Sequence, residues 1–449
     1  MAQKDIVLKD FEAFGLSSSL LKAVKAKGYE TPSPIQAAAI PVVLTGRDLI
    51  GLAQTGTGKT AAFGLPLLER LMSLGTKPES RTARALILAP TRELVNQIAD
   101  NLKGFARQTH LKVVSVVGGA SINVQQKALL SGTDILVATP GRLLDLVERK
   151  AVRLDTVTYL VLDEADQMLD LGFIHALKRI AKLVRKERQT LLFSATMPKQ
   201  IEELSRAYLT NPERVQVSPP GKAADKVRQS VHQVEQKQKY DLLRACLAER
   251  PGDLSLVFGR TKHGAEKIMK MLVKDGFAAA SIHGNKSQNQ RERAIKAFRD
   301  GEVRILVATD VAARGIDIPG VSHVYNYDLP EVPEAYVHRI GRTARAGAGG
   351  EAVAFCSSAE RHLLKGIEKL TGMAIPAAEA PARYVAPARV VDNDLDETDI
   401  DRATARPSPK RHGAANGPRQ AKPKDGGRPR QARPNGRRRR SRKRTQAAA

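Results

Sequence analysis

Cysteine is nearly missing from this chain: Cys246 and Cys356 are the only two in 449 residues, and each sits among apolar neighbours. Two thiols so placed argue against a disulfide scaffold and a cysteine-built zinc site, and they fit a reducing, cytoplasmic setting. No apolar run approaches membrane-spanning length. The opening MAQKDIVLKD has no apolar core of the kind a secretory leader carries, so no leader is expected. The end of the chain lacks something more basic. Asp401 to Ala449 contain no Val, Ile, Leu, Met, Phe, Trp or Tyr. Without those side chains a segment cannot offset its ordering entropy by burial, and disorder is expected there.

What the tail does hold is positive charge. It carries 17 Lys or Arg against 2 Asp, which is +15 of the chain's formal +26. Density of this kind, ending in GRRRRSRKR, suits a polyanion through counterion release, with nucleic acid as the expected partner. Anionic lipid and a purely solubilising role are the competing readings.

The rest of the chain is too long for one ordinary core. Up to Pro212, β-rich runs such as RDLIGLA, RALILAP, LKVVSVVGG, TDILVATP, TYLVLDEAD and QTLLFSAT alternate with amphipathic segments of helical length. A second series follows with LSLVFGR, AAASIHG, VRILVATD, SHVYNYDLP and GEAVAFCS, and a short helical pattern closes it over Arg361 to Leu370. Continuous apolar strands between helices predict largely parallel sheets covered on both faces. The expected organisation is an α/β domain over 1–217, a joint over 218–227, a second α/β domain over 228–375 and a low-complexity tail over 376–449. A cleft between two such domains is the default ligand site.

RDLIGLAQTGTGKTAAFGL places a strand, a Gly-containing turn and a helix in succession. Gly56, Gly58, Lys59 and Thr60, with Thr55 before them and Thr57 among them, supply most of the pattern that wraps a polyphosphate. Turn amides and the helix start face anionic oxygens, the lysine reaches the β- and γ-phosphates, and the threonine can ligate Mg²⁺. Ala53 stands where the first glycine of that pattern usually falls, which is tolerable if it keeps an ordinary backbone conformation. In YLVLDEADQMLD an apolar run stops at Asp163, Glu164 and Asp166. Taken alone these acids read first as a solvated strand end, since acidic strand ends are common. Beside a phosphate loop they become a metal carboxylate, Asp163, and a water-activating base, Glu164, with Asp166 in a supporting role.

With these motifs in order, the chain resembles the DEAD-box ATP-dependent RNA helicases over about Phe11 to Gly372, and its core plus basic tail is most similar to the bacterial RhlE-type branch. DEAD itself is present at Asp163 to Asp166. The resemblance implies two tandem RecA-like domains, ATP and Mg²⁺ as ligands, and RNA held mainly by its backbone. GYETPSPIQ is similar to the adenine-reading motif, with Gln36 facing the base and Phe11 packing on it. Pro90, Thr91 and Arg92, the pair Gly118 and Gly119, and Thr139, Pro140, Gly141 and Arg142 correspond to first-domain RNA contacts. Arg260, His283, Gly284 and Thr309 do so in the second domain. Gly315 and Asp317 would lie near the nucleotide, and Arg314 could tie the domains together. Arg342 and Arg345 of HRIGRTARAG are implied arginine fingers. Ser194, Thr196, Asp166 and His338 are implied couplers between ATP state and RNA cleft. Ala344 and Gly259 depart from the usual family form.

The resulting expectation is an RNA-dependent ATPase that unwinds short duplexes or remodels ribonucleoprotein, in ribosome assembly or RNA decay. A DNA-directed motor and a nucleotide-gated clamp without turnover are the alternatives. The tail yields the first prediction. Deleting 401–449 should weaken RNA affinity and flatten its dependence on salt while ATP binding stays intact, as read by titrations across a salt series. Unchanged affinity at every salt concentration would remove the tail from RNA binding.

Overall fold

Short Val-, Ile- and Leu-rich runs separated by amphipathic helices can bury both of their faces only as a parallel sheet between helical layers. The computed structural model contains that arrangement twice, and it describes residues 10–54, 56–217, 227–313, 318, 320–344, 349–382 and 384. The first sheet comprises β1 (Leu49–Leu52), β2 (Ala83–Leu88), β3 (Val113–Val116), β4 (Thr133–Ala138), β5 (Tyr159–Leu162), β6 (Gln189–Ser194) and β7 (Glu213–Gln216). Its order is β3-β4-β2-β5-β6-β1-β7, every pair parallel. The second comprises β8 (Val227–Gln233), β9 (Leu254–Phe258), β10 (Ala279–Ile282), β11 (Ile305–Ala308), β12 (Val321–Asn326) and β13 (Gly350–Cys356), ordered β10-β11-β9-β12-β13-β8 and again parallel. These are two tandem RecA-like α/β lobes, and both fall within one compact unit. Thr55, Arg314, Gly315, Asp317, Arg345, residues 218–226 of the joint and the basic tail lie outside the described residues.

The two strands that the apolar runs did not predict are β7 and β8. Each is an edge strand, and their sequences ERVQ and VRQSVHQ are mostly polar because solvent reaches the open edge. The edge of β8 is partly covered by the chain after the last helix: Val231 donates to Pro376 O at 2.9 Å and accepts from the Ala378 amide at 2.9 Å. Pairing there removes free edge groups that could otherwise recruit another strand.

Burial follows the two-residue period of a strand. Along β2, Ala85 and Ile87 join the apolar layer containing Phe63 and Ile98, whereas Leu86 and Leu88 join the layer containing Leu143 and Met168. Helix starts are capped by short polar side chains: Thr91 Oγ1 accepts from Leu94 N, and Thr261 Oγ1 accepts from Gly264 N. Ser33 and Gln36 form a reciprocal capping box at the helix Pro34–Leu44.

Gly51 interrupts β1 for a packing reason. A Cβ there would lie 2.5 Å from the Phe193 ring, which in turn packs on Phe63 with centroids 5.6 Å apart. Since β1 leads into the phosphate loop and Phe63 lies on the helix after it, this contact sets how loop, helix and β6 stack. Gly51→Ala is expected to cost about 1–3 kcal/mol through overpacking, measured as a lowered urea midpoint at unchanged slope. A midpoint within error of wild type would show that Phe193 yields freely.

Candidate functional site

A parallel sheet delivers all its strand C-termini to one edge, and in the first lobe the candidate residues divide along it. The phosphate loop follows β1, the acids follow β5, and Ser194 ends β6, so the nucleotide candidates occupy three neighbouring strands. Pro90 to Arg92 follow β2, Gly118 and Gly119 follow β3, and Thr139 to Arg142 follow β4, the other half of the same edge.

Gly56 and Gly58 have φ of 83° and 93°, conformations that cost a side-chain-bearing residue energy. At Gly58 a Cβ would also meet Gln36 Nε2 at 2.4 Å. Gln36 is buried; its Nε2 donates to Gly58 O at 3.2 Å and its Oε1 accepts from Ser33 N at 2.8 Å. One amide hydrogen and one lone pair of Gln36 are thus committed to the loop and the helix start, leaving one of each for a base. Ser33 Oγ donates to Thr57 O and Thr57 Oγ1 to Gln54 O, each at 2.7 Å. Ala53 is absent from the left-handed conformers, so its methyl is accommodated, and its amide donates to Ser194 O at 3.0 Å. Phe11 is buried edge-on against Phe14 and Tyr29, at 5.8 and 6.1 Å between centroids. Its ring belongs to the first-lobe core.

Lys59 begins the helix Lys59–Met72, is only 5% exposed, and donates to Ala53 O at 3.2 Å. Its Nζ stands 3.7 Å from Asp163 Oδ1, which also accepts from Glu164 N at 3.0 Å. Asp163 is 2% exposed. Burial raises its carboxyl to about 6 against the opposing pull of Lys59, and Glu164 adds to the rise. Desolvated, with one long ion pair and one hydrogen bond, this carboxylate has oxygen lone pairs to spare. Its oxygens and the Thr60 hydroxyl are hard-oxygen donors, the chemistry that Mg²⁺ takes.

Glu164 holds φ at 53°, one of five non-glycine residues in the left-handed region among the described residues. Such strain persists only where the surroundings enforce it and clusters at functional sites. It also explains how adjacent acids at one strand end diverge. Asp166 is occupied differently: Oδ2 accepts from Ala195 N at 3.0 Å, Thr196 N at 3.0 Å and Thr196 Oγ1 at 3.1 Å, and Oδ1 from Gln167 N. It therefore binds the acids to the Ser194–Thr196 turn. Ser194 Oγ is fully buried and has no hydrogen bond among the described residues.

On the other half of the edge, the Arg92 guanidinium fills the space beside Gly119, where a Cβ would lie 2.1 Å from Nη1. Arg142 Nη1 donates to Ala120 O at 3.0 Å, and a Cβ on Gly141 would meet nothing within 4 Å. In the second lobe Arg260, His283 and Thr309 follow the neighbouring strands β9, β10 and β11. Arg260 is tied to Glu360 Oε1 at 2.8 Å, and Glu360 also holds the buried Lys239. His283 Nε2 lies 3.0 Å from Glu266 Oε2. Burial opposes Glu266 ionisation, but hydrogen bonds from Ser281, His283 and Lys286 hold its carboxyl down at about 2. Gly284 is open, with nothing within 4 Å of a Cβ position. A Cβ on Gly259 would make ordinary contact with Ala265 at 3.5 Å, so a side chain there is not excluded by space.

His338 lies on the helix Pro333–Ile340, and Arg342, buried just after it, donates from Nε to His338 O at 3.1 Å. Ala344 takes φ of 54°, so alanine bears strain where the family's glycine would not. Three residues that motif reading passed over stand out. Arg339 is almost fully buried and holds Asp310 with Nε and Nη2, at 2.5 and 2.7 Å. Gln288 and Arg291 reach from the second lobe to the first: Arg291 Nη2 is 3.0 Å from Glu93 Oε1, and Arg92 Nη1 donates to Gln288 Oε1 at 3.3 Å. Their only sequence signal was a polar helix start at SQNQR.

The chain is similar to known proteins over most of its length. Residues 33–204 match the family model described as DEAD/DEAH box helicase, and residues 238–347 match the helicase conserved C-terminal domain. The chain is 45% identical over 361 residues to the DEAD-box ATP-dependent RNA helicase CshA of Bacillus subtilis, covering 80% of this chain and 72% of that protein. Against the ATP-dependent RNA helicase CshA of Listeria monocytogenes it is 44% identical over 371 residues, covering 83% and 70%. The fold matches S. cerevisiae Dbp5 bound to RNA and ADP BeF3 with a TM-score of 0.74 at 32% identity, covering 82% of this chain and 95% of that one. Mss116p bound to ssRNA and AMP-PNP matches with a TM-score of 0.73 at 29% identity, covering 82% and 78%.

The raised carboxyl of Asp163 has a measurable consequence. A group whose folded pKa exceeds its unfolded value binds more protons when folded, so ionising it costs stability as pH climbs from the ordinary aspartate value of 3.8 through about 6. Without divalent cation, Asp163→Asn should melt near wild type at about pH 4 and progressively higher than wild type toward about pH 8. Thermal unfolding in chelator across that range reads the gap. A gap that does not widen with pH would dissociate Asp163 from the effect.

Proposed function

The chain belongs to the DEAD-box family of ATP-dependent RNA helicases, and on that premise we propose that its ATP chemistry is carried by Lys59, Thr60, Asp163, Glu164, Arg342 and Arg345. The observation that carries this reading is the continuous link from Lys59 to Asp163 and from Asp166 to the Ser194–Thr196 turn, all on neighbouring strand ends. In the proposed reaction the phosphate-loop amides and Lys59 hold the β- and γ-phosphates of ATP. Glu164 takes a proton from the attacking water as its oxygen bonds the γ-phosphorus. The β–γ bridging bond breaks, and ADP leaves with the electron pair. Arg342 and Arg345 balance charge that develops on the transferred phosphoryl group. Thr60 and Asp163 would hold Mg²⁺, which when bound neutralises phosphate charge.

RNA is the proposed partner, held by Arg92, Gly118, Gly119, Thr139 to Arg142, Arg260, His283, Gly284 and Thr309 through phosphate and ribose rather than base edges. Open backbone at Gly141 and Gly284 supports that role, because a strand can approach such amides closely. For His283, whose ring is engaged by Glu266, the proposed contribution is to hold the loop that presents Gly284. Gln36 and Phe11 remain our candidates for selecting adenine, with Gly315 and Asp317 near the ribose and phosphates. Hydrolysis would be felt by RNA through Asp166, Ser194, Thr196 and His338. Local separation of short duplexes or remodelling of ribonucleoprotein is the output we favour, in ribosome assembly or RNA decay. We place the protein in the cytoplasm, a reading supported by two free, buried thiols. We retain the lobe limits 1–217 and 228–375, and assign the chain to the RhlE-type branch on its combination of core and basic tail.

Glu164→Gln keeps the shape and loses the base. It should retain ATP and RNA binding while steady-state hydrolysis in saturating RNA falls at least about a hundredfold. Near-normal turnover would take Glu164 out of the base role.

A further inference from the structure

The opposite edge of the first sheet, where the strands begin, carries a cleft of about 580 Å³ that the ATP chemistry does not use. Its walls include Arg70, Lys77, Arg84, Tyr159, Arg188 and Gln189. Charge there is unbalanced. Arg84 is paired with Asp134 at 2.9 Å, and the two lining carboxylates are held by arginines outside the lining, Glu79 by Arg153 at 3.0 Å and Glu187 by Arg185 at 3.7 Å. Arg70, Lys77 and Arg188 have no carboxylate within ion-pair distance among the described residues. Surface lysines and arginines usually trade partners in solvent, but Arg70 is fixed in place. Its Nη1 donates to Gln189 Oε1 at 3.2 Å, its guanidinium lies 5.1 Å over the Tyr159 ring, and Gly46 leaves the room it occupies. Gln189 is itself pinned, donating to Val43 O at 2.9 Å and Arg47 O at 2.7 Å. Arg188 is anchored by donating to Thr190 Oγ1, Arg185 O and Tyr208 O. A guanidinium already held in one orientation loses little entropy on meeting an anion, and its remaining donors suit phosphate oxygens.

We propose that this cleft is a second phosphate-binding site, separate from the ATP loop, taking a phosphate group of a small polyphosphate or of an RNA strand. Its placement gives it a route to the ATP edge. The helix Lys59–Met72 begins at the phosphate loop and carries Arg70 in its last turn, roughly 16 Å away at helical rise. Strand β5 begins at Tyr159 and leads to Asp163, and β6 begins at Gln189 and ends at Ser194. Three rigid elements thus have one end in the cleft and the other at the nucleotide residues. The proposal extends the function given above and does not depend on which residue acts as base.

Lys77 is exposed at the cleft, so its reactivity reports occupancy locally and independently of the basic tail. The full chain, saturated with ADP, is labelled with an amine-acetylating reagent and read by peptide mass spectrometry, with exposed Lys178 as internal control. One arm adds inorganic pyrophosphate, a second a single-stranded RNA oligonucleotide. Saturable slowing of Lys77 labelling by at least threefold, Lys178 unchanged, is expected in at least one arm. Pyrophosphate protection identifies a small-molecule site, whereas protection by RNA alone identifies a strand-backbone subsite. Arg70→Met should weaken whichever protection is seen by fivefold or more in half-saturating concentration. No protection in wild type, or equal protection in Arg70→Met, overturns the proposal. The wild-type result decides the matter even if that variant folds poorly.

Discussion

A carboxylate kept almost wholly from water organises the nucleotide edge of this protein. Burial strips water from Asp163 and makes it costly to ionise where it stands, and a single ammonium at 3.7 Å does not fully offset that cost. The sheet can impose it because β5 is buried on both faces and ends where the phosphate-loop lysine arrives from β1, with β6 between them. A ligand that offsets this charge and binds only the folded chain would turn that cost into stabilisation.

From Asp163 the constraints spread along hydrogen bonds rather than through space. Asp166 spends its oxygens on the turn after β6, and Ser194 at the start of that turn accepts from Ala53 at the start of the phosphate loop. The loop, the acids and the turn are thereby joined into one hydrogen-bonded unit. Next to it on the same edge stand the residues suited to a nucleic-acid backbone, and Glu93 and Arg92 carry contacts onward to Arg291 and Gln288 in the second lobe. The phosphate-loop and acid residues and the residues after β2, β3 and β4 therefore occupy adjoining strands of one sheet, and the second lobe reaches the β2 side of that edge through Gln288 and Arg291.

Much of this was legible before any coordinates. The alternation of apolar strands and amphipathic helices predicted parallel sheets, and eleven of the named runs correspond to strands seen in the two sheets. Edge strands β7 and β8 escaped because a half-solvated strand has no continuous apolar run to read. Phe11 and Gln36 were nameable from motif spacing, yet their partners were not. Phe11 lies in an aromatic cluster with Tyr29, and Gln36 bonds a loop twenty-two residues away. Arg339 gave no sign of its bidentate grip on Asp310, since a buried arginine and a solvent-facing one look alike in sequence. The paired lobes' contact through Arg291 was equally silent.

Sequence by itself determined the chemistry on offer: a lysine and threonine after a glycine turn, two acids after an apolar strand, arginines three apart, and a tail too poor in apolar residues to pack. Those properties are local, set by residue type and spacing within a few positions. Tertiary structure alone decided which groups are desolvated and which are held. It left Asp163 short of partners and Asp166 supplied with them, although they stand three residues apart in one motif. It also gathered Arg70, Tyr159 and Gln189 from distant segments around a cleft no motif announces. The reason is that burial and pairing depend on strand order, and the order β5-β6-β1 is a property of the folded sheet that the linear chain does not display.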